Sequence, residues 1–436
     1  MKRITGNDRE IIRDLARQVK ACAELPVMEA RRVKWYAHND LQTTDPIVAV
    51  FPEMAWHEII PAHSLRCEEE NARKIEWLLR GRLFRGLEMD DDIPIEKTWE
   101  VRKIISDTGW DRLNPNHKNQ TFGNEDYRDS CLGSVPLVWK KDFVFEDKAM
   151  HFTPIIVEPS DLSRLRAPQI EYLEKESIEQ LRIEEEVLGD ILEVQLSGIK
   201  FIYGGLMQTY SDFRGLEQVL YDLYDEPEML HEAMFMVEEG YHKLLDQYIA
   251  LDLLEVNNRQ GYNGSGGMNY THDLPKLPGG GKELQNFWGF TESQEFTMVG
   301  PEMHYDFVIQ HEQRISERFG LSSYGCCEPI ENKLKYILNF NNIRRISVSP
   351  WADIQSCSDQ IKKQAVYSWK PNPSYFINNY EVDNETFMTG YLKDMLQITR
   401  DNCAELVLKD THTCHHKPEK YRAWVKLARK CIEETR

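Results

Sequence analysis

Thiol, imidazole and carboxyl side chains collect at two points of this 436-residue chain. The first is "LSSYGCCEPIENK", which contains Cys326, Cys327 and Glu328, and the second is "DTHTCHH", which contains His412 and Cys414. Thiolate and imidazole are the ligands that zinc prefers, and a catalytic zinc takes three protein ligands and keeps one position open. The five residues therefore predict a zinc site, while a tight turn of small residues remains the alternative for the cysteine pair.

Two further groups of residues stand at or near the ends of apolar, β-like runs. Acids and a phenol that could transfer protons are Glu292, Glu295, Asp353 and Tyr324. Side chains that could bind a flat, partly polar substrate are Asn257, Trp288, Trp351 and Asn378. Because the loops after the strands of a βα barrel build its active site, we expect both groups to meet at one end of the fold.

The order of the predicted strands and helices indicates such a barrel. From about Phe152, β-branched apolar runs alternate with amphipathic helical segments, which is typical of parallel βα units. The runs begin near residues 191, 201, 252, 285, 321, 343, 374 and 404. We predict a (β/α)8 TIM barrel over residues 111–436, with a long polar loop at about 107–148. Residues 1–110 form a mostly helical extension that packs on the barrel and contains the apparent strand "PIVAVFPEMAW".

Composition excludes several classes of partner. A net charge of −19, without clusters of Lys and Arg, argues against binding to nucleic acid or to an anionic membrane. The chain shows no signal peptide and no apolar run long enough to span a bilayer, so a cytoplasmic location is expected. Nine cysteines spread along such a chain are expected to be free thiols.

Three stretches carry a resemblance to a known family: "DFRGLEQVLYDLYDEPEMLHEAM", "YGCCEP" and "TCHHKPEKYRAW". From about Phe152 to the C-terminus the chain resembles the uroporphyrinogen decarboxylase superfamily, and within it the zinc-dependent, cobamide-linked methyltransferase branch. The resemblance places Cys326 or Cys327 at the first zinc-binding cysteine of that branch and Cys414 at the last. Tyr324 stands where the branch has a histidine, so Cys327, Glu328, Asp353 or His412 would have to complete the ligand set, or the metal is absent.

The resemblance implies a methyltransferase that works with a corrinoid carried by a separate corrinoid protein. Its methyl donor would be a small molecule, with an aromatic O-methyl compound suited to the aromatic strand ends. Glu292, Glu295 or Asp353 would then donate a proton to the departing phenolate.

Three alternatives remain open. They are a corrinoid-to-thiol methyltransferase, a metal-free decarboxylase of a small aromatic or pyrrolic acid with Asp353 or Asp410 as its acid, and a non-enzymatic corrinoid-binding scaffold. The N-terminal extension either caps the barrel or mediates a homodimer.

Overall fold

The computed structural model describes residues 3–110, 120–122, 126–129, 131–136, 154–277, 281–378 and 384–436. Its strands are β1 Ile47–Val50, β2 Thr98–Arg102, β3 Ile105–Asp107, β4 Gln120–Phe122, β5 Asp126–Asp129, β6 Gly133–Pro136, β7 Ile170–Tyr172, β8 Glu193–Ser197, β9 Tyr203–Gly204, β10 Trp288–Thr291, β11 Leu321–Tyr324, β12 Ile343–Val348, β13 Val366–Trp369 and β14 Cys403–Leu408. Seven of these strands form one parallel sheet in the order β1-β14-β13-β12-β11-β10-β9.

The strands of this main sheet are buried on both faces, because helices cover the outside and other side chains fill the inside. Every residue of β1, β10, β11, β13 and β14 is buried. This explains why the strands appear in the sequence as continuous apolar runs and not as alternating patterns. Three smaller sheets stand beside the main one: the parallel pair β2-β8, the antiparallel set β4-β3-β7 and the hairpin β5-β6.

Fifteen helices accompany the described strands. They are α1 Gly6–Ala23, α2 Pro26–Asn39, α3 Trp56–Ile59, α4 Glu70–Leu83, α5 Glu174–Leu188, α6 Leu206–Arg214, α7 Leu216–Asp225, α8 Pro227–Ala250, α9 Pro301–His304, α10 Gln310–Ser316, α11 Leu334–Ile337, α12 Ile354–Ile361, α13 Pro373–Asn378, α14 Asn384–Ile398 and α15 Glu419–Thr435. Single π-helical turns follow α4 at Phe84–Met89 and join α9 to α10 at Tyr305–Ile309. Within the described ranges, none of the helices combines the length and apolar character needed to cross a membrane.

The N-terminal segment shares its core with the rest of the chain. Strand β1 pairs with β14, with Ile47 opposite Glu405. Ile12 of α1 and Leu406 of β14 belong to the same hydrophobic cluster. The division at residue 110 stays a prediction, but the strand expected in the extension is a member of the main sheet. Most of the predicted loop at 107–148 lies outside the described residues.

The closed eight-stranded barrel is not seen in the described residues, where the sheet has seven strands with β1 and β9 at its edges. The run expected at residue 252 contributes only an isolated bridge between Leu254 and Ile199. The run at residue 191 forms β8, which pairs with β2 and not with the main sheet. The observed architecture is therefore α/β around a central, parallel, seven-stranded sheet.

The strand expected at Ser374 is also wrong, since these residues form helix α13. Pro373 occupies the first turn, where a missing N–H costs nothing. The Asn372 side chain accepts a hydrogen bond from the Ser374 backbone N–H at 3.0 Å, as a helix cap does. The actual strand, β13, ends at Trp369 just before this cap.

A buried, glycine-rich stretch occupies the inner face of the sheet. We call residues 261–270, "GYNGSGGMNY", the inner segment, and all ten are buried. Two hydrogen bonds hold it in place. The Trp288 indole N–H donates to the Asn269 carbonyl oxygen at 3.2 Å, and the Asn263 side-chain amide donates to the Ser323 hydroxyl at 2.8 Å. Gly267 has φ +109°, and a Cβ there would lie 2.9 Å from Cζ of Arg345. Glycine is thus required for the backbone to approach the sheet so closely.

Replacing Gly267 with alanine is expected to destabilise the protein by roughly 1–3 kcal/mol, because the backbone conformation and the contact with Arg345 both oppose a side chain. Gly390→Ala is the matched control, since Gly390 lies in helix α14 with open space around it. There alanine should stabilise the protein by up to about 1 kcal/mol. Urea unfolding of both variants measures the two effects, and equal free energies of unfolding would contradict this account of the inner segment.

Candidate functional site

The carboxyl ends of the strands bring titratable side chains together at one edge of the sheet. We call this group the carboxyl-end site; its members are Tyr203, Glu292, Glu295, Cys326, Cys327, Glu328, Lys370, Lys409 and Asp410. Charge interactions link Glu292 to Glu328 and Cys326 to Lys409, so they share one neighbourhood although they come from different strands. Parallel strands produce this convergence, because all of their carboxyl ends lie at the same edge.

Glu292 follows β10 and is 2% exposed. Its carboxyl accepts hydrogen bonds from the Tyr203 hydroxyl and, at 3.0 Å, from the Gln294 backbone N–H. Burial, together with the negative charges of Glu328 and Glu295, raises the pKa of Glu292 to about 8. At neutral pH it is therefore predominantly protonated and able to donate a proton.

Two more carboxyls stand beside Glu292. One oxygen of Glu328 accepts the Cys326 backbone N–H at 2.9 Å, and the other is buried without a hydrogen-bond partner. One oxygen of Glu295 is likewise buried and unpartnered. Burial raises the pKa of both groups. Burial and the negative charges of neighbouring carboxyls thus favour the protonated forms at this edge of the sheet.

Tyr324 is placed beneath these acids and is 2% exposed. Its hydroxyl donates to Glu312 at 2.7 Å and contacts the Ser293 hydroxyl at 3.0 Å. Ser293 also contacts Nε2 of His304 at 2.7 Å, and burial lowers the pKa of His304 well below its usual range. Tyr324 is therefore part of a buried polar network that supports Ser293 and the strand end before Glu292.

Glu312 is a member of this network that sequence reasoning missed. It lies on α10, directly after a π-helical turn, and is fully buried. Burial raises its pKa well above the ordinary value, and one of its oxygens has no hydrogen-bond partner. The only sequence signal was "HEQRI", which lacks the second histidine of a zinc-protease motif.

The cysteine pair is held at the rim of the site. The Sγ atoms of Cys326 and Cys327 are 3.5 Å apart, and the Ser265 hydroxyl of the inner segment donates to Cys326 at 3.7 Å. Contact with Cys327 and burial raise the pKa of the Cys326 thiol. The hydrogen bond from Cys326 lowers the pKa of Cys327, which is the exposed member of the pair. Cys327 is thus the more reactive thiol.

Cys414 makes a different contact from the one predicted. It is fully buried, and its thiol donates to a carboxylate oxygen of Glu58 at 3.2 Å. Burial and the negative charge of Glu58 raise the pKa of Cys414 to about 12. The same Glu58 oxygen accepts the backbone N–H groups of Cys414 and His416 at 2.8 and 2.9 Å, so it organises the loop after β14.

The five predicted zinc ligands are not assembled as one metal-binding group. Within the described residues, the group whose ligand atoms all lie within 4.8 Å of one another is Glu53, Asp410 and His412, of which only His412 was predicted. The Lys409 ammonium lies 3.4 Å from Glu53 and 3.5 Å from Asp410, so a cation already balances these carboxylates. A thiolate zinc site does not fit this arrangement, and zinc binding itself stays a prediction.

Two residues predicted to bind substrate are buried and make contacts inside the protein. Asn257 is 1% exposed and bonds the backbone of Trp288 twice, at 2.9 and 3.0 Å. Trp288 is fully buried, and the Arg345 guanidinium lies 5.2 Å from the centre of its ring. Both residues fix the start of β10, and their role in binding substrate stays a prediction.

The structure gives the other predicted residues no contact with the members of the carboxyl-end site among the described side chains. Asp353 caps α12 by accepting the Ser356 backbone N–H at 2.9 Å. Trp351 is 67% exposed. Asn378 ends α13, and its side chain is outside the described part of the chain. The roles of these residues stay predictions, although the cap gives Asp353 a structural task.

A series of aromatic rings begins near Glu292 and continues to the end of β1. We call it the aromatic row; from β10 to the end of β1 it contains Phe290, Tyr203, Phe201, Tyr262 and Phe51. Successive ring centres are 5.4, 6.5, 5.9 and 4.8 Å apart. Phe201 and Tyr203 are only half-buried, so a flat ligand could contact their faces.

Comparison with known proteins gives little further information. No protein-family model matches the chain, and no curated protein sequence matches it. Among solved structures, the chain is similar to a methyltransferase from Methanosarcina mazei, with 10% sequence identity and a TM-score of 0.43 over 92% of this chain and 98% of that one. A likeness of this degree carries no argument about activity.

Stability should depend on pH through Glu292. Its pKa is about 8 in the folded chain and near 4.5 in the unfolded one, so its proton is bound more tightly by the folded state. The stabilisation is complete below about pH 4.5 and is lost as the pH rises through about 8. Glu292→Gln should therefore flatten the fall in unfolding free energy between these pH values. Denaturant titrations test this, with Glu232→Gln on the exposed face of α8 as the control, and unchanged slopes would refute it.

Zinc binding distinguishes the observed group from the predicted one. Any zinc bound by the purified chain is expected to be lost in His412→Ala and kept in Cys414→Ser, because Cys414 is engaged by Glu58 and stands outside the group around His412. Elemental analysis after dialysis against zinc measures this. If zinc were lost in Cys414→Ser and kept in His412→Ala, the result would contradict this expectation and support the predicted zinc site with cysteine ligands.

Proposed function

We propose that this chain is the substrate-demethylating component of a corrinoid-dependent methyltransferase system. It would move a methyl group from a small O-methyl aromatic compound to a separate corrinoid protein. The observation that carries the proposal is a protonated, buried carboxyl, Glu292, held by Tyr203 at the end of an aromatic row. The resemblance of "YGCCEP" and "TCHHKPEKYRAW" to the cobamide-linked branch supplies the reaction class.

The difficulty of this reaction lies in the leaving group. When the O–CH3 bond of an aryl methyl ether breaks, its electron pair stays on oxygen, and a phenolate leaves poorly unless it receives a proton. Glu292 can supply that proton, because it carries one at neutral pH and its pKa is close to the working pH. A reduced corrinoid on the partner supplies the nucleophile that takes the methyl group.

The surrounding residues keep Glu292 in the acid form. Glu328 and Glu295 raise its pKa by their negative charge, while the Tyr203 hydroxyl orients the carboxyl. Phe290 and Tyr203, whose ring centres are 5.4 Å apart, offer apolar surface beside it. A methoxylated ring lying on the aromatic row would thus bring its ether oxygen toward Glu292.

Zinc has no step in this scheme, because the five predicted ligands do not form one group of close ligand atoms among the described residues. The same fact weakens the corrinoid-to-thiol alternative, in which zinc would activate an acceptor thiol. The decarboxylase alternative relied on Asp353 or Asp410 as its acid. Asp353 caps a helix and Asp410 lies beside Lys409, so neither resembles Glu292 as a proton donor.

Glu292→Gln is expected to lower the rate of demethylation of an unactivated aryl methyl ether by about 10²–10⁴-fold, because the amide cannot donate the required proton. The loss should shrink when the substrate is a nitrophenyl methyl ether, since its phenolate leaves without protonation. Release of the phenol is measured under anaerobic conditions with a reduced corrinoid protein as acceptor.

Glu232→Gln, at an exposed position of α8, is the matched control and should keep the wild-type rate. An equal loss for both substrates in Glu292→Gln would remove the general-acid role. Failure of the wild-type chain to demethylate any aryl ether with any corrinoid acceptor would remove the proposed function itself.

A further inference from the structure

A lysine that the proposed reaction does not use is buried at the carboxyl-end site. Lys370 directly follows β13 and is 4% exposed. Its ammonium donates to the Ser368 carbonyl oxygen at 3.2 Å and to the Ser368 hydroxyl at 2.9 Å. Both acceptors are neutral, and Lys370 forms no ion pair within the described part of the chain.

The anions near Lys370 are already matched by other cations. Glu405 lies 3.1 Å from Arg345 and 3.2 Å from His38. Lys409 lies between Glu53 and Asp410, at 3.4 and 3.5 Å. Lys370 is therefore a buried cation that forms no ion pair with a described carboxylate; another such lysine, Lys333, donates to the Phe296 carbonyl oxygen at 2.8 Å.

An unpaired buried ammonium is costly, and its proton is held weakly as a result. Burial lowers the pKa of Lys370 to about 7, although the negative charge of Glu405 opposes this shift; the positive charges of Lys409 and Arg345 add to it. An anion placed next to the ammonium would offset this cost and favour the charged form.

The position of Lys370 indicates where that anion would come from. Its charge interacts with Cys326 and with Glu328, so it faces the same edge of the sheet as the acids. Among the chain's own acids at this edge, Glu292 has its pKa raised to about 8, burial raises the pKa of Glu295 and Glu328, and Glu53 and Asp410 lie beside Lys409. A bound small molecule remains as the source of the negative charge.

We propose that Lys370 binds a carboxylate group of the substrate, which makes the methyl donor an O-methylated aromatic acid. The inference rests on the proposed function for the methyl group, but the anion-binding role of Lys370 stands on its own contacts. In this arrangement the aromatic row contacts the ring and Glu292 serves the ether oxygen, while Lys370 holds the carboxylate.

Binding of product analogues to the full chain tests the anion site without any corrinoid. Isothermal titration with the hydroxybenzoate isomers and the matching hydroxybenzamides compares a charged and a neutral ligand of nearly the same shape. The wild type should bind its best benzoate at least tenfold more tightly than the corresponding amide. Lys370→Met should abolish this preference, and Lys363→Met, at an exposed turn, should retain it.

Thermal unfolding separates binding from a purely structural role. If Lys370 serves the site, removal of an unpaired buried charge should leave the melting temperature unchanged or raise it. A lower melting temperature together with equal loss of benzoate and benzamide binding would show that Lys370 only supports the fold. Equal affinity of the wild type for benzoate and benzamide, or no binding of either, would overturn the inference even if the variant did not fold.

The same compounds distinguish this inference from the proposed function. Tight benzoate binding that depends on Lys370, without demethylation of any methoxybenzoate, would leave the anion site in place and remove the methyltransferase assignment. Demethylation of methoxybenzoates and methoxybenzamides with equal kcat/KM would support the methyltransferase assignment and remove the anion site.

Discussion

A carboxylate without access to solvent, Glu405, fixes how the sheet, the second helix and the inner segment fit together. It lies 3.1 Å from Arg345 on β12 and 3.2 Å from His38 on α2. Burial opposes its ionisation, but the charges of Arg345 and His38 outweigh this and lower the pKa of Glu405 to about 2. Removing one partner would leave a buried charge uncompensated, which typically costs about 3–5 kcal/mol.

The inner segment is built around this ion cluster. Arg345 donates to the Met268 carbonyl oxygen at 3.0 Å, and Gly267 lies so close that no side chain would fit. With the interior occupied by backbone, the carboxyl ends of the strands rather than the interior offer room for chemistry. The Ser265 hydroxyl, from the same segment, donates a hydrogen bond to Cys326 of the cysteine pair. The inner segment therefore contacts both the ion cluster and the carboxyl-end site.

Two buried acids of the sheet thus have opposite protonation states. Glu405 is ionised because two cations lie within 3.2 Å, whereas burial and the negative charges of Glu328 and Glu295 raise the pKa of Glu292 to about 8. The contrast shows that burial alone does not decide the role of a carboxyl; the sign of the nearest charge does. Lys370 differs from both acids, since burial lowers its pKa although the charge of Glu405 opposes that shift.

The sequence by itself determined the βα alternation, most strands of the main sheet and the position of Glu292 at a strand end, because these depend on local apolar runs and their order. It misplaced the strand at Ser374, where an asparagine cap and a proline start a helix. Only the tertiary structure decided which side chains meet. Cys414 is bound by Glu58, from a part of the chain more than 350 residues away, and Asn257 serves the backbone of Trp288. Such long-range contacts leave no periodic signal in the sequence, so neither the ligand groups nor the charge state of each acid could be derived from it.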